Sequence, residues 1–247
     1  MEIGIIGFGN FGKFMAKHLK EKARVFVTDT GDKNKEAKEI GVTFTSLDNI
    51  LEKKIIILAT PMENLEKVLH EIKNKIIPGT LVLDVCSLKT FSCKAMREIL
   101  PENIEIIGTH PLFGPQSTPG SIAGMKIALC DITAKKTTMT KIKEFCESLG
   151  LKVFITSPEE HDKQMAVSQA LTHFIGQVAK QMNLKRVELS TKTFDDLMNI
   201  IEIIKNDTPA LFKNMQTMNP FAKETRERFI AESIILSKKL QGQRIKI

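Results

Sequence analysis

Through roughly the first 155 residues, short and almost wholly apolar runs alternate with longer amphipathic stretches. The runs are Ile3–Ile6, Val25–Thr28, Ile55–Ala59, Leu81–Val85, Ile104–Ile107, Ile127–Cys130 and Lys152–Ile155, each four or five residues long. Apolar side chains at nearly every position, rather than every second one, predict strands covered on both faces. Between them lie helix-length segments at Phe11–Lys22, Asn34–Ile40, Met62–Ile76, Phe91–Leu100 and Thr137–Leu149. Strand and helix in regular succession predict an α/β fold with a doubly wound, mostly parallel sheet, its crossovers right-handed.

The rhythm breaks at Ser157-Pro158-Glu159-Glu160, which reads as a helix start with Ser at the cap and acids in the first turn. Beyond it the strand pattern stops, and His161–Asn183, Lys192–Asn206, Pro209–Asn219 and Ala222–Leu240 all carry helical spacing. The expected organisation is therefore residues 1–155 as one domain and 156–247 as an all-helical one, with Gln241–Ile247 a frayed basic tail. About 90 helical residues make a thin core. The second domain is expected to pack on the first or on a partner subunit, as a homodimer.

Composition narrows the class. Hydrophobic residues make up 42% and charged residues 26%, which excludes dominant disorder. No apolar run approaches the roughly 20 residues a bilayer helix needs. The opening Met1-Glu2-Ile3-Gly4-Ile5 runs straight into a strand pattern, so no signal or transit peptide is expected. Cys86, Cys93, Cys130 and Cys146 form no C-x-x-C pair and no metal-ligand spacing with histidine, so reduced thiols, a cytoplasmic setting and no metal are expected. The net charge of +7 comes mostly from lysines scattered among acids, and Trp and Tyr are absent, so nucleic-acid binding is not expected.

Gly7-Phe8-Gly9-Asn10-Phe11-Gly12 follows the first strand and opens the first helix. In this setting G-x-G-x-x-G is the dinucleotide-binding turn of a Rossmann-type domain. Gly7 allows the tight turn, Gly9 a close pyrophosphate, and Gly12 close packing of helix on strand. Asp29, at the end of the second strand, is placed to accept both ribose hydroxyls and to repel a 2′-phosphate. Thr30-Gly31-Asp32 follows it with no Arg, which favours NAD over NADP, although Lys33 and Lys35 are near. Thr60-Pro61, after the third strand, is expected on the nicotinamide-ribose side.

Two polar segments follow strands at the mouth where open sheets bind ligands: Asp84-Val85-Cys86-Ser87-Leu88-Lys89-Thr90 and Gly108-Thr109-His110-Pro111-Leu112-Phe113-Gly114-Pro115. A neutral imidazole at His110 suits removal of a hydroxyl proton while hydride leaves the same carbon. Ser87 can hold that imidazole or the substrate hydroxyl, and Lys89 can supply positive potential for carboxylates.

These segments together resemble the prephenate/arogenate dehydrogenase family, and the resemblance continues through His161-Asp162-Lys163, Gln169 and Leu171-Thr172-His173-Phe174. Thr191-Lys192 and Asp207 bring it nearest to the single-domain plant-type arogenate dehydrogenases. The resemblance implies oxidative decarboxylation of a cyclohexadienyl substrate in tyrosine biosynthesis, with His110 taking the hydroxyl proton. It implies substrate contacts from Thr109, His110, Gln169, His173, Lys192 and Asp207. Prephenate-specific members carry an Arg after the aromatic residue of the helical-domain motif, where this chain has Asp195-Asp196 after Thr193-Phe194. Without that carboxylate anchor arogenate is favoured, and Asp207 becomes a partner for its ammonium group or, equally, a helix cap before Thr208-Pro209. Asp29-Thr30 stands where plant-type members carry a Ser-Arg pair suited to NADP.

Other histidines and cations are weighed the same way. His161 reads as a capping or site-adjacent group, and His173, twelve residues on, as roughly on its helical face. Gln169 and His173, spaced i, i+4, can face the substrate together. His18 and His70 read as surface residues, and Arg226 and Arg228 as lesser carboxylate ligands. Prephenate as substrate, a β-hydroxyacid dehydrogenase with a catalytic Lys in the second domain, and a non-catalytic NAD-binding regulator remain as alternatives.

Overall fold

The computed structural model describes residues 1–116, 118, 120–205 and 207–242, so most of the expected basic tail (243–247) lies outside the described residues. The chain forms two compact units, Met1–His161 and Asp162–Ile247. Among the described residues no helix is long and apolar enough to cross a membrane.

The first unit is built on strands β1 (Glu2–Ile6), β2 (Arg24–Thr28), β3 (Thr43–Phe44), β4 (Ile55–Leu58), β5 (Leu81–Asp84), β6 (Glu105–Pro111), β7 (Lys126–Asp131) and β8 (Lys152–Ile155). They form one sheet in the order β3-β2-β1-β4-β5-β6-β7-β8. All pairings are parallel except β6 with β7. Helices α1 (Asn10–Leu19), α2 (Asn34–Ile40) and α6 (Lys136–Ser148) bury Ala16, Leu19, Ala37, Met139 and Ile142 against Ile3, Ile5, Val27, Leu83 and Leu129 on one face. Helices α3 (Leu47–Leu51), α4 (Leu65–Ile72) and α5 (Lys89–Ile99) bury Ile50, Leu65, Leu69, Ala95 and Met96 against Ile6, Ile56, Leu58, Val82 and Ile106 on the other. This is the doubly wound arrangement: the inner strands alternate between two apolar layers, while the edge strand β8 leaves Phe154 and Ile155 exposed. The strand order turns back between β1 and β4, which opens a crevice at their C-terminal ends.

Two features depart from the sequence expectation. β3 and α3 are absent from it, being two and five residues long and too short to show a period. β6 runs to Pro111 rather than stopping at Ile107. Its parallel partner β5 ends at Asp84, opposite Gly108, and the antiparallel β7 carries the ladder on, pairing Thr109 with Leu129 and His110 with Ala128. Leu112 N–H donates to Lys126 O, so by alternation the missing N–H of Pro111 faces the side on which β5 has already ended. His110 therefore sits in a strand overhanging β5, not in a loop.

In the second unit, the end of α7 (Pro158–Met165) leads through a π-helical turn at Ala166–Leu171 into α8 (Thr172–Gln181), followed by α9 (Lys192–Ile204), α10 (Pro209–Thr217) and α11 (Ala222–Leu240). Ser157 Oγ accepts from Glu160 N–H at 3.1 Å, the cap the sequence predicted for α7. The single helix expected over His161–Asn183 is interrupted by the wider turn, so 3.6-residue phasing does not carry from His161 to His173. Gln216 Nε2 donates to Ala170 O at 2.7 Å, pairing a carbonyl within that turn. α8 and α9 meet at Gly176, where a Cβ would lie 2.5 Å from Ile204 Cδ1.

Candidate active site

The glycine turn has the geometry its spacing implies. Gly7 has φ +103°, and a Cβ there would stand 2.5 Å from Ala59 O. A Cβ on Gly12 would run into Gly7 O, whereas one on Gly9 would meet nothing within 4 Å. The turn is thus closed against the protein at Gly7 and Gly12 and open outward at Gly9. Helix α1 begins after Gly9 with no side-chain cap hydrogen bond and no acid in its first turn, which leaves its N-terminus favourable to an anion.

Asp29 holds this turn from the side. Its Oδ2 accepts Phe8 N–H at 2.6 Å and its Oδ1 accepts Thr30 N–H at 2.8 Å. Burial works against the charge, but the amides of Phe8, Thr30 and Gly31 and the Thr30 hydroxyl outweigh it and hold the carboxyl below its ordinary range. Asn10 and Thr30 are exposed at the rim and Phe11 is half-buried there. Phe8 differs from expectation in one respect: its ring is fully buried in the core, so it offers the site only its backbone. Lys33 and Lys13 both reach Glu36 at 3.2 Å, and Lys35 is exposed. Thr60 Oγ1, after β4, is buried with no partner among the described residues, and Pro61 beside it is exposed.

The next two strand ends are tied together by a buried ion pair. Asp84, closing β5, and Lys89, opening α5, are both fully buried and in contact at 2.5 Å. Asp84 Oδ2 also accepts Cys86 N–H at 3.0 Å, and its Oδ1 accepts Thr109 N–H at 3.2 Å. Lys89 Nζ donates to Thr109 O at 2.6 Å, and the Thr109 hydroxyl donates to Asp84 O. Burial disfavours the ammonium, yet Asp84 more than compensates, so the Lys89 pKa is raised and the side chain stays charged. Lys89, expected to supply positive potential for carboxylates, is sealed in the protein, where it pairs with Asp84 and Thr109 O beside the turn that carries Ser87. Thr109 is likewise consumed in this pairing. Ser87 Oγ is buried and without a partner among the described residues.

His110, one residue past Thr109, takes the opposite face of β6 by strand alternation. It is 5% exposed, and its Nδ1 lies 2.9 Å from His161 Nε2, with ring centroids 5.1 Å apart. Burial first, then His161 and Lys89, lower its pKa well below the ordinary imidazole value. His110 is therefore neutral around pH 7, as proton abstraction requires. Gly108, just before, has no room for a Cβ because the Cys93 sulfur occupies that space.

In the helical unit, His173 Nδ1 and Asp207 Oδ2 approach to 2.8 Å, both largely buried, in a geometry that makes no well-formed hydrogen bond. Gln169 lies in the π-helical turn and is half-buried. Asp207 is not the cap of α10; the Thr208 hydroxyl is, accepting Leu211 N–H at 3.1 Å. Lys192 is exposed and paired with Asp196 one turn on. Arg226 is committed to Gln216 O and Oε1 at 3.1 and 2.9 Å, and Arg228 is exposed. His70 is exposed as expected, but His18 is half-buried, edge-on to Phe14 at 4.7 Å.

Residues 15–156 match the family model for the prephenate dehydrogenase nucleotide-binding domain, more than half of the chain. The chain belongs to the prephenate/arogenate dehydrogenase family. Relatives of that family include a probable arogenate/prephenate dehydrogenase of Methanocaldococcus jannaschii, 35% identical over 93% of this chain and 54% of its own length. Arogenate dehydrogenase 1 of Arabidopsis thaliana is 31% identical over 93% of this chain and 37% of its own. The chain thus spans about half or less of these two relatives. A second model, a TYRAAT1-like C-terminal domain, matches 178–246. Among solved structures, an Aquifex aeolicus prephenate dehydrogenase in complex with hydroxyphenyl propionate and NAD+ shares the fold at a TM-score of 0.78. It is 20% identical, with 97% of this chain and 90% of that one covered. A Synechocystis arogenate dehydrogenase gives 0.74 at 19% identity, with 98% and 93% covered.

In this family member a dinucleotide fits the residues present. The open side of Gly9, the uncapped start of α1, the carboxylate of Asp29 and the orphaned Thr60 hydroxyl are four separate features around one crevice, each able to meet a different part of such a molecule. Asp84 is the buried residue beside the candidate site for which the sequence alone suggested no role. A charged side chain ending an otherwise apolar strand, with a Lys five residues on, was the available signal.

Proposed function

We propose that this chain catalyses the NAD-dependent oxidative decarboxylation of a cyclohexadienyl substrate in tyrosine synthesis, with arogenate favoured over prephenate. The carrying observation is His110: an imidazole held neutral at the end of β6, with Nδ1 engaged and a partnerless buried hydroxyl at Ser87 in the neighbouring strand-end turn. His110 accepts the proton of the substrate hydroxyl as the carbon beneath it loses hydride, and Ser87 orients that hydroxyl. NAD, when bound, supplies the hydride acceptor. The resulting ring ketone is conjugated towards the carbon bearing the carboxylate. The carboxylate leaves as carbon dioxide, the electron pair of the broken bond passes through the ring to the ketone oxygen, that oxygen takes back a proton, and the ring becomes aromatic. The protein need provide only a base, an orienting donor and a site that excludes water.

Asp29 supports NAD over NADP, since its carboxylate repels a 2′-phosphate and Lys13 and Lys33 are paired with Glu36. Arogenate is supported by Asp195 and Asp196 where an Arg would anchor a second carboxylate, and by the carboxylate of Asp207 beside His173. A homodimer formed through the helical unit is supported by apolar side chains left in the open there, among them Val178, Met182, Ile230 and Ile234. Four buried free cysteines accord with the reducing cytoplasm. Steady-state assays of arogenate and prephenate, each with NAD and NADP, test the reading. Highest kcat/KM for arogenate with NAD is expected. A clear preference for prephenate overturns the substrate assignment, and a preference for NADP overturns the role of Asp29.

A further inference from the structure

The contact between His110 and His161 has a direction that the reaction dictates. The two facing ring nitrogens, 2.9 Å apart, share one hydrogen, and either ring can be the donor. If His161 donated, the proton of neutral His110 would sit on its outer nitrogen Nε2, which could then only donate. If His110 donates, Nε2 carries a lone pair and can take a proton. Both rings are buried, so water does not compete for the shared hydrogen. His161 is in turn fixed on the first turns of α7, whose start is locked by the Ser157 cap and by His161 N–H to Ser157 O at 2.9 Å.

We propose that His161 is a positioning residue for the dehydrogenation: it accepts the Nδ1 hydrogen of His110, so that His110 faces substrate with an unprotonated Nε2. This rests on the reading of His110 as the base. When His110 takes the substrate's hydroxyl proton on Nε2, the Nδ1–H···Nε2 hydrogen bond to His161 remains and becomes charge-assisted, which stabilises the imidazolium as it forms. No atom other than that one proton changes place. The arrangement does for this base what a carboxylate does for the histidine of a hydrolytic triad, but with a neutral acceptor. A carboxylate would raise the pKa of the base, whereas a second imidazole leaves His110 neutral over a wide pH range.

The test uses the full-length protein with 15N-labelled histidine, in three forms: unaltered, His161→Gln and His161→Leu. Gln offers a carbonyl acceptor to Nδ1–H, and Leu offers none. In the unaltered protein at pH 7, His110 is expected to show a protonated Nδ1 and an unprotonated Nε2. His161→Gln keeps that pattern, and His161→Leu moves His110 towards the other tautomer. In assays, His161→Leu lowers kcat by about 100-fold with KM within about twofold, the loss expected when a general base is mis-set, and His161→Gln recovers at least about tenfold of it. A protonated Nε2 on His110 in the unaltered protein overturns the proposal, as does a Leu variant that keeps both tautomer and kcat. Gln and Leu variants equally impaired, with the His110 spectrum unchanged, also overturn it by showing a purely structural role. The spectra need no substrate, so an enzyme that turned over neither substrate would defeat the proposed function without touching the pairing.

Discussion

The three glycines of the nucleotide turn look equivalent as a motif and are not equivalent as residues. Gly12 packs on Gly7 O, so Gly12→Ala forces backbone apart and is expected to lower unfolding free energy by about 1–3 kcal/mol, measured by urea titration. Gly9 has φ −74° and open space beside it, so Gly9→Ala should leave stability unchanged without nucleotide. Its added methyl projects where a pyrophosphate must approach, and NAD affinity is expected to fall at least about tenfold by calorimetry. Loss of stability in Gly9→Ala, or unchanged affinity, would contradict the outward orientation of the turn. His110 makes a second prediction at this scale. Its pKa is lowered in the folded protein, so between that value and about 6.5 the unfolded chain binds more protons. Its contribution therefore favours folding above about pH 6.5 and is lost as pH falls below it. His110→Gln should weaken the loss of stability between pH 7 and pH 5, followed by melting temperature. The acidic limb of kcat/KM should lie below pH 6.5, because the base stays unprotonated there.

At the scale of elements, the strand ends matter more than the strands. Asp84 and Lys89 join the end of β5, the start of α5 and the overhang of β6 through one buried ion pair and its hydrogen bonds to Thr109. Removing one partner of such a pair leaves a buried charge, at a cost of about 3–5 kcal/mol, while removing both is far milder. Asp84→Asn and Lys89→Met are each expected to lose stability on that scale, and the double variant to recover much of it. Additive losses in a urea double-mutant cycle would mean that the pair is not the unit of stability described here. The same region marks how far sequence reasoning reaches. Ile3–Ile6 and Leu81–Val85 were legible as strands because burial on both faces demands unbroken apolar runs. The Thr109-His110-Pro111 overhang was not, because its ladder comes from an antiparallel neighbour that no local period reveals. The π-helical turn was equally invisible, since Ala166–Leu171 has ordinary helical composition and is set by contacts such as Gln216 on Ala170. Of the candidate site, the glycine turn, Asp29, Ser87 and His110 stood out in the sequence, while the burial of Lys89 against Asp84 did not, because spacing cannot tell an inward lysine from an outward one.

For the whole molecule, the two units differ in how well they bury themselves. The first closes two extended apolar layers over a single sheet. Among its described residues the second holds two small clusters, Ala170, Met215 and Ala222 in one and Ala179, Met198 and Ile201 in the other. Along α11 only Ala222 is buried, while Ile230, Ile234, Leu236 and Leu240 stand exposed. Exposed aliphatics at this density on one helix are costly in water and are a common mark of a surface that meets another protein. A second copy of the chain is the simplest cover, because an isologous interface needs no other gene product and buries the same residues twice. At 27.7 kDa per chain, sedimentation equilibrium at micromolar concentration is expected to give about 55 kDa. Ile230→Lys combined with Ile234→Lys should shift that mass to the monomer, and the first unit's NAD affinity should be unchanged, since the residues assigned to the nucleotide all lie before His161. A monomeric unaltered protein would remove the dimer while leaving the site in the first unit as it stands. A dimer indifferent to the two lysines would move the interface off α11.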